Sequence, residues 1–138
     1  MKINMMTDYA IRTIMCIHGS EKGLTTSKVI SGQGEIPHGV LMKVLQILRL
    51  NNIVESHRGR GGIAGGYSLK RPASKITMLD VIEIMEGPVD FPKNLVPEAL
   101  VVEKRTQNVS AIAREYDRIS QLLREELQRN TLADIFKQ

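Results

Sequence analysis

One continuous run, from Ile53 to Leu69, constrains the fold of this chain more than any other: Ile-Val-Glu-Ser-His-Arg-Gly-Arg-Gly-Gly-Ile-Ala-Gly-Gly-Tyr-Ser-Leu. It directly follows a short amphipathic pattern and carries five glycines and two arginines between two strand-like ends. Ile53 and Val54 predict an outgoing strand, Gly59 to Gly66 a flexible tip, and Tyr67, Ser68 and Leu69 the returning strand. Glycine removes the side chain that would hold a backbone away from a neighbour, so such a tip can approach phosphates closely.

The segments before the run predict helices. From Thr7 to His18, Tyr9, Ala10, Ile14 and Ile17 recur at helical spacing, with Thr7 or Asp8 as the N-cap and Gly19 near the end. Thr25 and Thr26 are placed to cap a second, short helix from Ser27 to about Gly32, with Val29 and Ile30 on its buried side. Pro37 fits the first turn of a third helix reaching about Leu50. Its core stripe is Leu41, Val44, Leu45 and Leu48, and its polar face carries Gly39, Met42, Lys43, Gln46 and Arg49. Two short helices joined by a glycine-containing turn outline a helix-turn-helix, and a following hairpin makes it a winged helix.

After the hairpin, a helix from Thr77 to Glu86 is punctuated by a capping box, Thr77 with Asp80, by staple positions Ile76 and Val81, and by Gly87-Pro88. Residues from Gly87 to about Asn108 read as a long loop with an apolar clump from Ala99 to Val102. A final amphipathic helix, about Val109 to Arg129, aligns Val109, Ile112, Tyr116, Ile119, Leu123 and Leu127. A second copy would bury that stripe and make a homodimer; folding back over its own domain is the alternative. The expected class is therefore mostly α with a small β wing. A winged helix-turn-helix domain over 1–75 is followed by a connecting helix, loop and dimerisation helix over 76–138.

Charge follows the same division. Residues 1–75 hold 11 Lys/Arg against 4 Asp/Glu, a net +7, while residues 76–138 hold 8 against 11, a net −3. A basic first half suits a polyanion. The single cysteine, Cys16, permits no internal disulfide and reads as a packing residue in a cytoplasmic protein. No apolar run approaches the roughly 18 residues needed to span a bilayer, so no membrane partner is expected.

The residue types suit double-stranded DNA. Arg58, and with it Arg60, can enter a minor groove, where narrow A·T-rich stretches concentrate negative potential. Thr26, Ser27, Ser56 and His57 are neutral donors suited to phosphates, and Gly59 belongs to the close-approaching tip. On the third helix His38, Gly39, Met42, Lys43 and Gln46 would face the major groove, with Lys43 suited to guanine acceptors and Gln46 to an adenine edge.

Enzymatic readings fail on context. Gly59, Gly61 and Ala64 fit a loose G-x-G-x-x-A with Asp80 about twenty residues on, but a dinucleotide fingerprint needs a helix after the glycines, and Tyr-Ser-Leu-Lys reads as a strand. Gly61 and Gly66 lack the Lys-Ser/Thr of a P-loop. There is no nucleophile elbow and no H-E-x-x-H, and the histidines are scattered at 18, 38 and 57.

Over nearly its whole length the chain resembles the bacterial winged-helix regulators that include IscR, NsrR and BadM. The resemblance rests on Asp8-Tyr9-Ala10 with Arg12, on Ile36-Pro37 with Leu41, Val44, Leu45 and Leu48, and on Ser56-His-Arg-Gly with Gly65-Gly66-Tyr67-Ser-Leu. It continues in Ile76-Thr-Met-Leu-Asp-Val-Ile, Glu86-Gly87 and Thr131-Leu-Ala-Asp-Ile. It implies a dimer joined through the long helices, two winged helices on DNA and repression or activation of transcription, with repression the expected role. It also implies that Arg58 is a minor-groove arginine and that His38, Gly39, Met42 and Lys43 face bases.

Many members carry three cysteines between the connecting and long helices, holding an iron-sulfur cluster; this chain has none between Gly87 and Asn108. No cluster and no other cofactor is expected. In its place the signal would be a small-molecule effector in the dimer crevice, a protein partner held by the apolar residues Leu95 to Val102, or oxidation of Cys16. The competing class is a protein-interaction module that regulates a partner enzyme through residues 95–102.

Overall fold

In a computed structural model of the chain, residues 3–61, 65–91 and 106–137 are described, without the side chains of 106–110. The first helix, α1, spans Met5–His18. It begins two residues before the expected Thr7, because Asn4 caps it: the Asn4 side chain accepts the Met6 N–H at 3.1 Å. Thr7 is instead buried and donates its hydroxyl to Glu86 at 2.7 Å.

The second helix, α2, spans Ser27–Gly34 and is capped by Thr26, whose Oγ1 accepts the Val29 N–H at 3.3 Å. It runs through Gly32 and stops where Glu35 turns left-handed, at φ 51°. Ile30 is fully buried, but Val29 is 43% exposed, which corrects the expected pair. Neighbouring helical positions point about 100° apart, and α2 has only one narrow inner face. The third helix, α3, spans His38–Leu50, with Pro37 at its N-cap position. Its Leu41, Val44, Leu45 and Leu48 enter one core with Ala10, Ile14, Ile17 and Ile30.

Strands β1 (Val54–His57) and β2 (Gly66–Leu69) pair antiparallel, in the register Val54↔Leu69, Glu55↔Ser68, Ser56↔Tyr67 and His57↔Gly66. Ile53, expected in the strand, is buried just before it, and Gly66, expected in the tip, lies in β2. Thr25 adds a bridge to Tyr67, with N–H···O distances of 3.0 and 2.7 Å in the two directions. That bridge explains Gly66: a Cβ there would sit 2.6 Å from the Thr25 carbonyl oxygen. The expected flexible tip falls in part on residues 62–64, outside the described set.

A short 3-10 turn (Ala73–Lys75) leads to α4, Met78–Glu86, where the capping box of Thr77 and Asp80 is formed in both directions. Ile76 and Val81 are fully buried beside it. The last helix, α6 (Leu132–Phe136), returns to this point. Thr131 bridges Thr77, and the Leu132 N–H reaches the Ile76 carbonyl at 2.7 Å. The main core therefore draws on both expected segments, with Ile76, Val81, Leu132 and Ala133 joining α1–α3.

The long helix, α5, spans Thr106–Gln128, so it starts ahead of Val109 and ends one residue before Arg129. At about 1.5 Å per residue its 23 residues extend roughly 34 Å. Its C-terminal half leans on α4. Leu123 and Leu127 pack on Leu79, Ile82 and Val89, and Arg124 pairs with Glu83. Higher up, the Tyr116 ring stacks on Phe91 with centroids 5.3 Å apart. Ile112 is 48% exposed, while Ile119 is half-buried. The side chain of Val109 and the apolar residues 95–102 lie outside the described set.

Candidate nucleic-acid interface

The polar face of α3 follows from its apolar one. With four positions committed to the core, the intervening His38, Gly39, Met42, Lys43 and Gln46 are turned outward, and all five are exposed. Strand alternation then decides which wing residues join them. Ser56 points toward α3, where Met42, Leu45, Gln46, Arg49, Ser56 and Tyr67 line a shared cleft. His57 takes the other course: its Nε2 lies 2.7 Å from Ser68 Oγ, with a Glu55 oxygen 3.8 Å away. Met42, Gln46 and Ser56 are thus brought together, whereas the His57 ring is turned to β2.

Arg58, Gly59 and Arg60 continue beyond β1 and are exposed. Thr26 and Ser27 sit half-buried at the start of α2. The Thr26 oxygen accepts a backbone N–H, which leaves its own hydroxyl proton to donate outward. Two further basic side chains share these surfaces. Arg49 lines the α3 cleft, and Lys28 is exposed one residue past Ser27. Arg49 was legible as part of the polar stripe of α3; Lys28 needed only its place next to a helix cap.

Other cations are engaged elsewhere. Arg12 pairs with Asp8 at 2.6 Å and donates to the Gly34 carbonyl, so it braces the α1–α2 turn. Arg71 pairs with Asp80 at 3.2 Å and ties the end of the wing to the α4 capping box. What remains is a basic and amide-bearing surface formed by one helix edge and one hairpin, suited to base edges and phosphates together.

The family described as Rrf2, iron-dependent transcriptional regulator, matches residues 3–138. The chain belongs to the Rrf2 family. It is 29% identical over 137 residues to an HTH-type transcriptional regulator of Mycobacterium tuberculosis, covering 98% of this chain and 81% of that protein. Among solved structures it is similar to CymR, the global cysteine regulator of B. subtilis, with TM-score 0.72, 27% identity and coverage of 99% and 97% of the two chains. IscR of T. potens shares the fold at TM-score 0.69 and 23% identity, over 99% of this chain and 87% of that one. This Rrf2 protein is thus a DNA-binding transcriptional regulator with a winged helix and a long C-terminal helix, not an enzyme.

Dependence on iron would require side chains able to hold the metal. An iron-sulfur cluster is held mainly by several cysteine thiolates, and the whole chain has one cysteine. Cys16 is half-buried on α1, packed against the main core and close to Gly34. Burial pushes its thiol above the ordinary range, the reverse of what a ligand thiolate needs. Among the described residues no three His, Cys, Asp or Glu side chains gather in one place. The residues present do not fit a cysteine-held cluster. Among the described residues no helix is long and apolar enough to cross a membrane.

Proposed function

We propose that this Rrf2 protein is a cytoplasmic, homodimeric, sequence-specific repressor that works without an iron-sulfur cluster. The juxtaposition of the outer edge of α3 with the wing carries this reading. In it, His38, Gly39, Met42, Lys43 and Gln46 enter the major groove, and Arg58 and Arg60 reach the adjoining minor groove. Thr26, Ser27, Ser56, His57 and Gly59 contact the sugar-phosphate backbone and set the register.

Dimerisation is supported by α5, an amphipathic helix that leaves Ile112 and Leu122 about half exposed. Pairing along this helix would present two winged helices to two half-sites about one helical turn apart. Such a dimer lying on promoter DNA excludes other proteins from it, hence the repressor role.

Electrophoretic mobility shifts on fragments of the source genome, run at increasing salt, test the reading. Retardation of a limited set of fragments, with affinity falling steeply as salt rises, is the expected result. Failure to retard any fragment, or equal retardation of all, overturns it.

A further inference from the structure

We propose that a cleft behind the wing is an effector site for a small organic carboxylate with an apolar body. The cleft, of about 490 Å³, lies where the end of α1, the end of β2, the 3-10 turn and α6 meet, away from the cleft between α3 and the wing. Its size falls in the range of roughly 300–1,000 Å³ usual for small-molecule sites. Ile17, Leu69, Pro72 and Ala133 make its walls apolar.

His18 and Lys137 also line the cleft, and among the described residues that line it there is no Asp or Glu. The ring of His18 is braced against Phe136 at 5.6 Å between centroids. Asp134 on α6, three residues before Lys137, accepts the Thr131 N–H at 3.1 Å, which holds its carboxylate first and leaves the charge of Lys137 a lesser influence on it. An apolar floor with a lysine and a histidine beside it selects an anion that carries hydrocarbon, and a carboxylate head matches both donors.

The position gives such a ligand leverage. Leu69 is the last residue of β2 and pairs with Val54, so it is the root of the wing. Ala133 and Lys137 belong to the segment that α6 docks on Ile76. A molecule filling the cleft touches both and favours whichever wing posture leaves room for it. This regulatory role rests on the reading that the wing contacts DNA.

Benzoate and hexanoate, with benzyl alcohol and hexanol as uncharged controls, are the probes, titrated calorimetrically into the full chain without DNA. Both or either acid binds, the alcohols do not at the same concentration, and Lys137→Gln weakens binding about tenfold, the loss of one charge-assisted hydrogen bond. Lys137 and His18 are exposed, so Lys137→Gln and His18→Gln keep the fold, which circular dichroism verifies. Absence of binding by both acids, equal binding of the alcohols, or unchanged affinity in the His18→Gln, Lys137→Gln double variant overturns the site. Mobility shifts with and without the bound acid then read the regulatory role: a changed DNA affinity supports it, an unchanged one removes it. A chain that binds acid but retards no DNA would count against the proposed function instead.

Discussion

In the bundle of α1, α2 and α3 the residues Ile14, Ile17, Ile30, Leu41, Leu45 and Leu48 are at most 1% exposed, whereas along α5 Ile112 and Leu122 remain 48% and 52% exposed. Both regions are amphipathic by pattern. They differ in what their own chain supplies to cover the apolar side. α1 meets α2, α3, α4 and β2, so each apolar side chain finds several neighbours. Among the described residues α5 packs on α4 through Leu123 and Leu127 and on the segment to Phe91 through Tyr116. Periodicity identifies an apolar face, and only the count of available partners says whether the monomer can bury it.

That contrast predicts two kinds of mutational effect. Leu48→Ala opens a cavity in the finished region and should cost about 2–5 kcal/mol of folding stability. Urea unfolding followed by circular dichroism measures it; a loss below about 1 kcal/mol would mean that the bundle can collapse around the gap. Ile112→Arg on the unfinished helix should do the opposite. Monomer stability stays within about 0.5 kcal/mol, as for most surface changes, while self-association weakens by about 1.5–3 kcal/mol, the value of one buried aliphatic side chain. Analytical ultracentrifugation over a concentration series reads the second number. Unchanged association would remove Ile112 from the dimer face.

The outer surface of the finished region separates function from folding in the same way. Arg58→Ala should leave the unfolding curve in place and weaken DNA binding by about 1–3 kcal/mol, more on A·T-rich flanks than on G·C-rich ones. Competition binding on paired operators checks this. A uniform loss across flanks would mean that Arg58 meets phosphate and does not enter the minor groove.

Legibility in the sequence divides along the same line. Where an element is specified by contacts within a few residues, it could be read. The α3 stripe is one case; the Thr77–Asp80 box is another, down to both of its hydrogen bonds. The same Thr-x-x-Asp pattern recurs at Thr131 and Asp134, where it starts α6. Elements specified by distant backbone were not legible. No local signal says that Thr25 will pair with Tyr67 or that Leu132 will reach back to Ile76, because both depend on loops closing first. For a related reason period alone does not choose Ile30 over Val29 for the core: α2, with eight residues, is too short to separate adjacent apolar positions. In the interface, α3 exposed what its pattern implied, while the turning of His57 away from Ser56 needed the strand register.

The smallest effect tests how tightly the finished region is closed at its edge, where Cys16 is half-buried. Burial pushes this thiol up, since the thiolate would lose water against the core. Below the ordinary thiol range, near pH 8.5, the group is neutral in folded and unfolded chains and affects neither. Above it the unfolded chain ionises first, so stability falls as pH rises through that range. Cys16→Ser has no ionisation there. The urea midpoint of the parent should therefore drop further than that of Cys16→Ser between about pH 7.5 and pH 10, which brackets the thiol range. Parallel curves would mean that the folded protein solvates a thiolate at residue 16 as well as the unfolded chain does, and that the seam between α1 and α2 is open to water.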